Sequence, residues 1–305
     1  MPLDIIKTDK GFITDESLEN KIFNLDLDGK DVLVYSRLLS FGRLLGLKAV
    51  NSIISILKSA VGKKGTLIFP TYTLSSYEEP RVFNEKTSKI MSGILGEKSL
   101  LDKDFKRLIH PIYSHSIYNN DDYYISNQSK NTCFGKNSFF DLFSSKQNGI
   151  VLMLGLNFNG PSLYHYYDQK YNAKGRFIKE FEISMSHNEE NYSMIFDSYV
   201  KDYGFYNNRT NCLGRLEAMA KKLDILRTEL IGDSYIHLIN ENNFNRLYKI
   251  CLLVDQNYFL MSSKKKWNEY YINNNFKYFY ENMNQNKVDR IKKLWEKSLK
   301  TKNYL

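Results

Sequence analysis

Cysteine, proline and long apolar runs are all scarce in this chain, and each scarcity removes a class of protein. The three cysteines among 305 residues (Cys133, Cys212, Cys251) are widely spaced, odd in number and without a C-x-x-C pair. Neither a disulfide framework nor a cysteine-built zinc site is expected from them. The histidines (His110, His115, His165, His187, His237) form no H-E-x-x-H arrangement, so no metal is expected. Five prolines and 16 glycines exclude collagenous, Pro-rich or Gly-rich architectures. The longest apolar stretch, Ile150 to Leu156 broken by Gly155, falls far short of the roughly 18 to 20 residues of a membrane-spanning helix. Residues 1–20 mix Asp, Lys, Glu and Thr and lack the apolar centre of a signal peptide. The expectation is a soluble, cytoplasmic chain.

What is present is enough apolar and aromatic side chain, 42% and 14%, to build a packed core. The net charge of +9 is unevenly placed. Residues 264–305 hold eleven Lys or Arg against four Asp or Glu, which leaves only about +2 for the first 263 residues. Within that tail Val288, Ile291, Leu294, Trp295 and Leu299 recur at helical spacing, with Lys287, Arg290, Lys292, Lys293, Lys297 and Lys300 around the rest of the circumference. A helix docked by its apolar face is expected, with anion binding as the alternative use. Confinement of the basic residues to one terminal segment, with no recognised nucleic-acid motif, argues against nucleic acid as a partner.

Along the body, Asp31–Tyr35, Gly65–Phe69 and Gly149–Gly155 read as buried strands, the last apolar on both faces and therefore central. Val50, Ile53, Ile54, Leu57, Ala60 and Val61 mark one face of a helix that Gly62 stops. Arg215–Leu223 and Phe244–Leu253 also read as helical. Alternating strands and helices predict a layered α/β/α domain with a mixed central sheet over residues 1–255. Residues 256–305 form an Asn/Tyr-rich segment and the basic C-terminal helical tail.

Three polar clusters could carry chemistry. After the strand ending at Gly155, a loop with Asn157, Asn159, Gly160 and Ser162 leads to His165 and Asp168. If a helix starts near Pro161, these two share a face, as a carboxylate-oriented general base would; a packed histidine with an incidental aspartate fits the pattern too. Arg107, His110 and Ser114 form a second cluster around a turn-forming proline. Ser36, Arg37, Ser40 and Gly42 form a third, where a helix N-terminus could receive a phosphate. No nucleophile-elbow or kinase motif is present.

In order, these segments resemble the aminoglycoside 3-N-acetyltransferase family. The residues that carry the resemblance are Val34-Tyr-Ser-Arg-Leu-Leu-Ser-Phe-Gly42, Gly65-Thr-Leu-Ile-Phe-Pro-Thr-Tyr-Thr73 and Arg107-Leu-Ile-His-Pro-Ile-Tyr-Ser114. Phe134-Gly-Lys-Asn-Ser138 and Val151–Gly155 followed by Ser162-Leu-Tyr-His-Tyr-Tyr-Asp168 are the last strong matches, fainter similarity continues to Ile231-Gly-Asp-Ser-Tyr235 and Leu238-Ile239, and the resemblance covers roughly residues 5 to 255. Tyr35 and Arg37 stand where the family usually has His and Ser, Phe139 where it has Pro, and Asp168 where it has Glu.

The resemblance implies direct acetyl transfer from acetyl-CoA in a ternary complex, with His165 as base oriented by Asp168. It implies a coenzyme site at Ser36, Arg37, Ser40, Gly42 and Thr71, and an acceptor site drawing on Tyr72, Arg107, His110, Ser114, Ser138 and Asn157. Aminoglycosides are polycations, and the stretch from Pro70 to His110 has no acidic surplus, six acids facing seven bases. The expected acceptor is therefore a nucleotide-linked 3-amino-deoxy sugar of surface-polysaccharide synthesis, with an aminoglycoside as the alternative. A member that binds coenzyme without turnover is a third reading, and a homodimer stays open.

Overall fold

The computed structural model describes residues 1–206, 210–262, 265, 268 and 277–300. The stretch from Tyr270 through 276 in the Asn/Tyr-rich segment lies outside the described residues, as do the lysines 264 and 266 of the tail.

A hairpin, β1 (Asp4–Thr8) and β2 (Gly11–Thr14), leads into α1 (Asp15–Phe23). Thr14 caps that helix: its Oγ1 accepts from Ser17 N at 3.1 Å, and Ser17 Oγ accepts from Thr14 N at 3.1 Å. The first half continues with β3 (Asp31–Ser36), β4 (Arg43–Leu44), α2 (Leu47–Val61), β5 (Thr66–Pro70), β6 (Val82–Asn84), α3 (Ile94–Ser99), β7 (Phe105–Leu108), β8 (His115–Tyr118), α4 (Asp121–Asn127) and α5 (Phe139–Ser145). β9 (Gly149–Leu154) and α6 (Leu163–Lys170) precede a long hairpin, β10 (Arg176–His187) and β11 (Glu190–Lys201). The chain then runs through β12 (Thr210–Asn211), α7 (Gly214–Lys222), β13 (Leu226–Ile231), β14 (Ser234–Asn240), α8 (Glu241–Val254) and β15 (Leu260–Met261) to α9 (Lys277–Glu281) and α10 (Gln285–Lys300).

Seven strands form the central sheet in the order β13-β14-β9-β3-β5-β8-β7. β9, β3 and β5 run parallel and the outer strands are antiparallel, so the sheet is mixed. The three parallel strands are buried throughout, as their continuous apolar runs predict. Their period-2 alternation divides the interior into two cores. Val32, Val34, Leu67, Phe69, Ile150, Leu152 and Leu154 face one layer, which α1 and α2 cover with residues such as Leu18, Ile22, Ile53 and Leu57. Leu33, Tyr35, Ile68, Val151 and Met153 face the other, shared with α5, α6, α8, the β10–β11 hairpin and α10.

The tail helix is docked. Val288, Ile291 and Trp295 belong to the larger core, and Lys287 Nζ lies 2.6 Å from Asp255 Oδ2 at the end of α8. Leu299, on the same periodic stripe, is 60% exposed and is not part of the contact. No helix among the described residues is long and apolar enough to cross a membrane.

Candidate active site

β3, β5 and β9 end at one edge of the sheet, at Ser36, Pro70 and Leu154, and the segments after them carry Arg37, Ser40, Gly42, Thr71, Tyr72 and Asn157. Two glycines let these loops close on their neighbours. Gly155 (φ +72°) passes so near the β3 loop that a Cβ would stand 2.6 Å from the Arg37 carbonyl oxygen. A Cβ on Gly42 (φ +138°) would stand 2.3 Å from the Lys7 carbonyl oxygen, so packing against β1 already requires glycine there.

Helix α6 carries His165 and Asp168 on one face, as their spacing predicts. His165 Nδ1 is 3.8 Å from Asp168 Oδ2, beyond hydrogen-bond range. Asp168 is held elsewhere: Arg176 Nε is 2.9 Å from its Oδ2, and Tyr248 donates to its Oδ1 at 2.5 Å. The His165 side chain is 21% exposed and packs against the rings of Tyr164 and Phe134. Burial, opposed by Asp168 and reinforced by Arg176, pushes the imidazole down to about 4, so it is neutral at pH 7. The neutral form has a free nitrogen to accept a proton, although burial makes it a weaker base than a free imidazole, so its place in the cleft and not its basicity points to the base role.

A cavity of about 750 Å³ opens beside His165. Arg176, Lys179 and Lys201 of the β10–β11 hairpin supply its cations, and Tyr77, Tyr113, Tyr164 and Phe181 are among its aromatic walls. These basic residues were not read from the sequence as site residues. The hairpin itself is legible after the fact: Phe181, Ile183 and Met185 alternate inward, and Asn188 and Glu189, both at positive φ, make a two-residue turn.

The remaining expected site residues are distributed as follows. Ser36 is the last residue of β3, and Arg37 and Ser40 follow it, Ser40 at the end of a short 3-10 turn, where Arg37 N donates to Leu154 O at 2.8 Å. Thr71 is fully buried, and its Oγ1 has no hydrogen-bond partner among the described residues. Tyr72 is buried as well, its hydroxyl 3.4 Å from that of Tyr35 and 3.3 Å from His115 Nε2. The Tyr35 hydroxyl also meets the backbone of Ser162 and Leu163 at the start of α6 and satisfies that helix end.

Five others are engaged within the fold. Arg107 donates to the carbonyls of Glu85 and Thr71, and His110 Nδ1 accepts from Ile112 N and Tyr113 N, both at 3.0 Å. Ser114 Oγ donates to His110 O, Ser138 Oγ caps α5 through Asp141 N, and Asn157 Oδ1 accepts from Asn159 N. Among residues 70–110 only Tyr77 lines the cavity. The charge count over that stretch therefore does not describe the cleft. Several of those charges are paired away from it, as in Lys58 with Asp102 and Asp104, and Lys98 with Glu97. Among the described residues no cluster of His, Cys, Asp and Glu is arranged to hold a metal.

The family described as aminoglycoside 3-N-acetyltransferase matches residues 33–252, well over half the chain. The chain belongs to that family. As an aminoglycoside 3-N-acetyltransferase family member it is an N-acetyltransferase. Solved structures share the fold. The aminoglycoside acetyltransferase AAC(3)-Xa is 17% identical with a TM-score of 0.66, over 86% of this chain and 95% of that one. AAC-IIIb, in a binary complex with CoASH, is 19% identical with a TM-score of 0.63, over 78% of this chain and 95% of that one. The YokD protein of Bacillus subtilis is 15% identical with a TM-score of 0.62, over 81% and 93%. No curated protein matches the sequence.

Proposed function

We propose that this acetyltransferase moves the acetyl group of acetyl-CoA directly to an amine of an aminoglycoside or related amino sugar, with His165 as the base. The observation that carries the reading is the His165 imidazole on a cavity wall, on the helix that follows the carboxyl end of β9 and with Asp168 on the same face. The amine nitrogen attacks the thioester carbonyl carbon; the C–N bond forms, the C–S bond breaks and coenzyme A leaves as the thiolate. His165 takes the proton from the amine and returns it to the sulfur. Its Nδ1 is buried toward Asp168, so Nε2 is the nitrogen that meets the amine. That requires the proton on Nδ1, the tautomer a neighbouring carboxylate favours. On the coenzyme side this scheme uses Ser36, Arg37 and Ser40; Thr71 is fully buried and Gly42 is required by packing against β1, so neither is given a coenzyme contact.

For the acceptor, the relatives point to aminoglycosides, since AAC-VIa was solved with sisomicin and AAC(3)-IVa with a gentamicin. A nucleotide-linked 3-amino sugar is the second reading, favoured by the cations on the cavity wall. Thiol release from acetyl-CoA against aminoglycosides and amino-sugar nucleotides tests both. His165→Asn is expected to lower kcat by at least ~100-fold, the scale of a lost general base, with coenzyme affinity nearly unchanged. Wild-type turnover in that variant would remove His165 from the role.

A further inference from the structure

The cation pattern on the β10–β11 hairpin has no explanation in strand pairing. Arg176 and Lys201 are direct cross-strand partners, and like charges placed opposite one another destabilise a hairpin. The Arg176 side chain is 2% exposed and is neutralised by Asp168. Lys201 is half-buried, and burial together with the Arg176 charge, opposed by that of Asp168, pushes its ammonium below the ordinary lysine range. Neither Lys201 nor Lys179 forms an ion pair with a carboxylate among the described residues, yet both line the cavity beside His165. The carboxylate on the rim, Asp202, is engaged through Oδ1 with Gly204 N at 2.8 Å. With Arg176 balanced by Asp168, the charges of Lys179 and Lys201 exceed that of Asp202, so the wall keeps a net positive charge, set among aromatic faces suited to stacking on a sugar ring.

We infer that the cavity selects an acceptor bearing an anionic group, a phosphate or carboxylate, which Lys179 and Lys201 bind while its amine faces His165. The inference rests on the acetyl-transfer reading of the same site. Electrostatics gives the reason: Lys179 is exposed and Lys201 half-buried, neither is ion-paired among the described residues, and cations so placed on a cavity wall attract an anionic ligand and repel a polycation. Of the two acceptors considered above, the wall favours the phosphorylated or nucleotide-linked amino sugar over the unmodified aminoglycoside, and the titrations below decide between them.

Calorimetric binding separates this inference from the catalytic one, because it needs no turnover. Glucosamine 6-phosphate, glucosamine and kanamycin would be titrated into the wild-type protein saturated with coenzyme A, and into its Lys179→Ala/Lys201→Ala double variant. The phosphorylated sugar is expected to bind at least ~10-fold more tightly than glucosamine, a modest value for charge-assisted contacts. That preference should fall below ~3-fold in the double variant, whose coenzyme A affinity should stay within ~2-fold of wild type. No measurable binding of glucosamine 6-phosphate, or tighter binding of kanamycin, overturns the inference. So does a preference that survives the double substitution. A loss of coenzyme A affinity in the variant would assign the lysines to the coenzyme phosphates and overturn it as well. The effect of His165→Asn on kcat is independent of all these outcomes.

Discussion

Asp168 stands 2.9 Å from Arg176 Nε and 3.8 Å from His165 Nδ1, so the carboxylate that the sequence spacing pairs with the histidine is engaged by the arginine. Asp168 has two duties on one short arm: it balances a buried guanidinium and faces the imidazole.

Substitutions at 168 should separate those duties. Asp168→Asn leaves Arg176 buried without its counter-charge, which is expected to cost about 3 to 5 kcal/mol of stability. The loss should be visible as a lower Tm before any assay is run. Asp168→Glu keeps the charge and adds about 1.5 Å of reach. It is expected to retain the fold and to hold or raise kcat, with the gain in kcat rather than KM. An unchanged Tm in Asp168→Asn would show that the Asp168–Arg176 pair carries no such weight.

How far the site could be read from sequence follows from which contacts are local. The strands β3, β5 and β9 were legible because burial on both faces leaves continuous apolar runs, and α6 was legible enough to place His165 and Asp168 three residues apart on one face. Arg176 was not, because its meeting with Asp168 depends on where the hairpin folds back, and no spacing rule reports that. The hairpin turn is Asn188-Glu189 rather than the stronger Asn-Gly signal, so β10 and β11 went unread and Lys179 and Lys201 with them. Summing charges over residues 70–110 failed for the same reason: adjacency in sequence placed only Tyr77 in the cavity. The docked tail was legible from its period, apart from Leu299.

The tail offers a paired test of that docking. Trp295 is 6% exposed, packs in the larger core and lies under the Arg246 guanidinium at 5.5 Å. Trp295→Ala is expected to cost about 3 to 5 kcal/mol, the usual range for emptying a large aromatic site. Leu299→Ala, on the same stripe but exposed, should change stability by less than about 0.5 kcal/mol. Urea denaturation of the two variants checks this. Equal effects would mean that the helix does not hold its place through Trp295.

Acid sensitivity is the last expectation, and its sign follows from burial. Desolvation pushes His110 and His237 down to about 3, His165 to about 4 and His115 well below its ordinary value. In the unfolded chain all four titrate near ~6.5. Between about pH 6.5 and 4 the unfolded state therefore binds protons that the folded state refuses, and stability falls as pH falls. Each imidazole contributes a slope that approaches about 1.4 kcal/mol per pH unit. Glu241 runs the other way. Burial, opposed by bonds from Ser144 and Tyr167, raises its carboxyl to about 7, so from about pH 4.5 to 7 the folded state holds a proton that the unfolded state releases. One carboxyl offsets one imidazole and leaves about three uncompensated. The urea midpoint should accordingly be nearly level from about pH 8 to 7 and drop steeply from about pH 6 to 5. His237→Gln, which removes one of the four without touching the cavity, should make that drop shallower. A midpoint that stays flat down to about pH 5 would mean that the buried histidines are not held neutral.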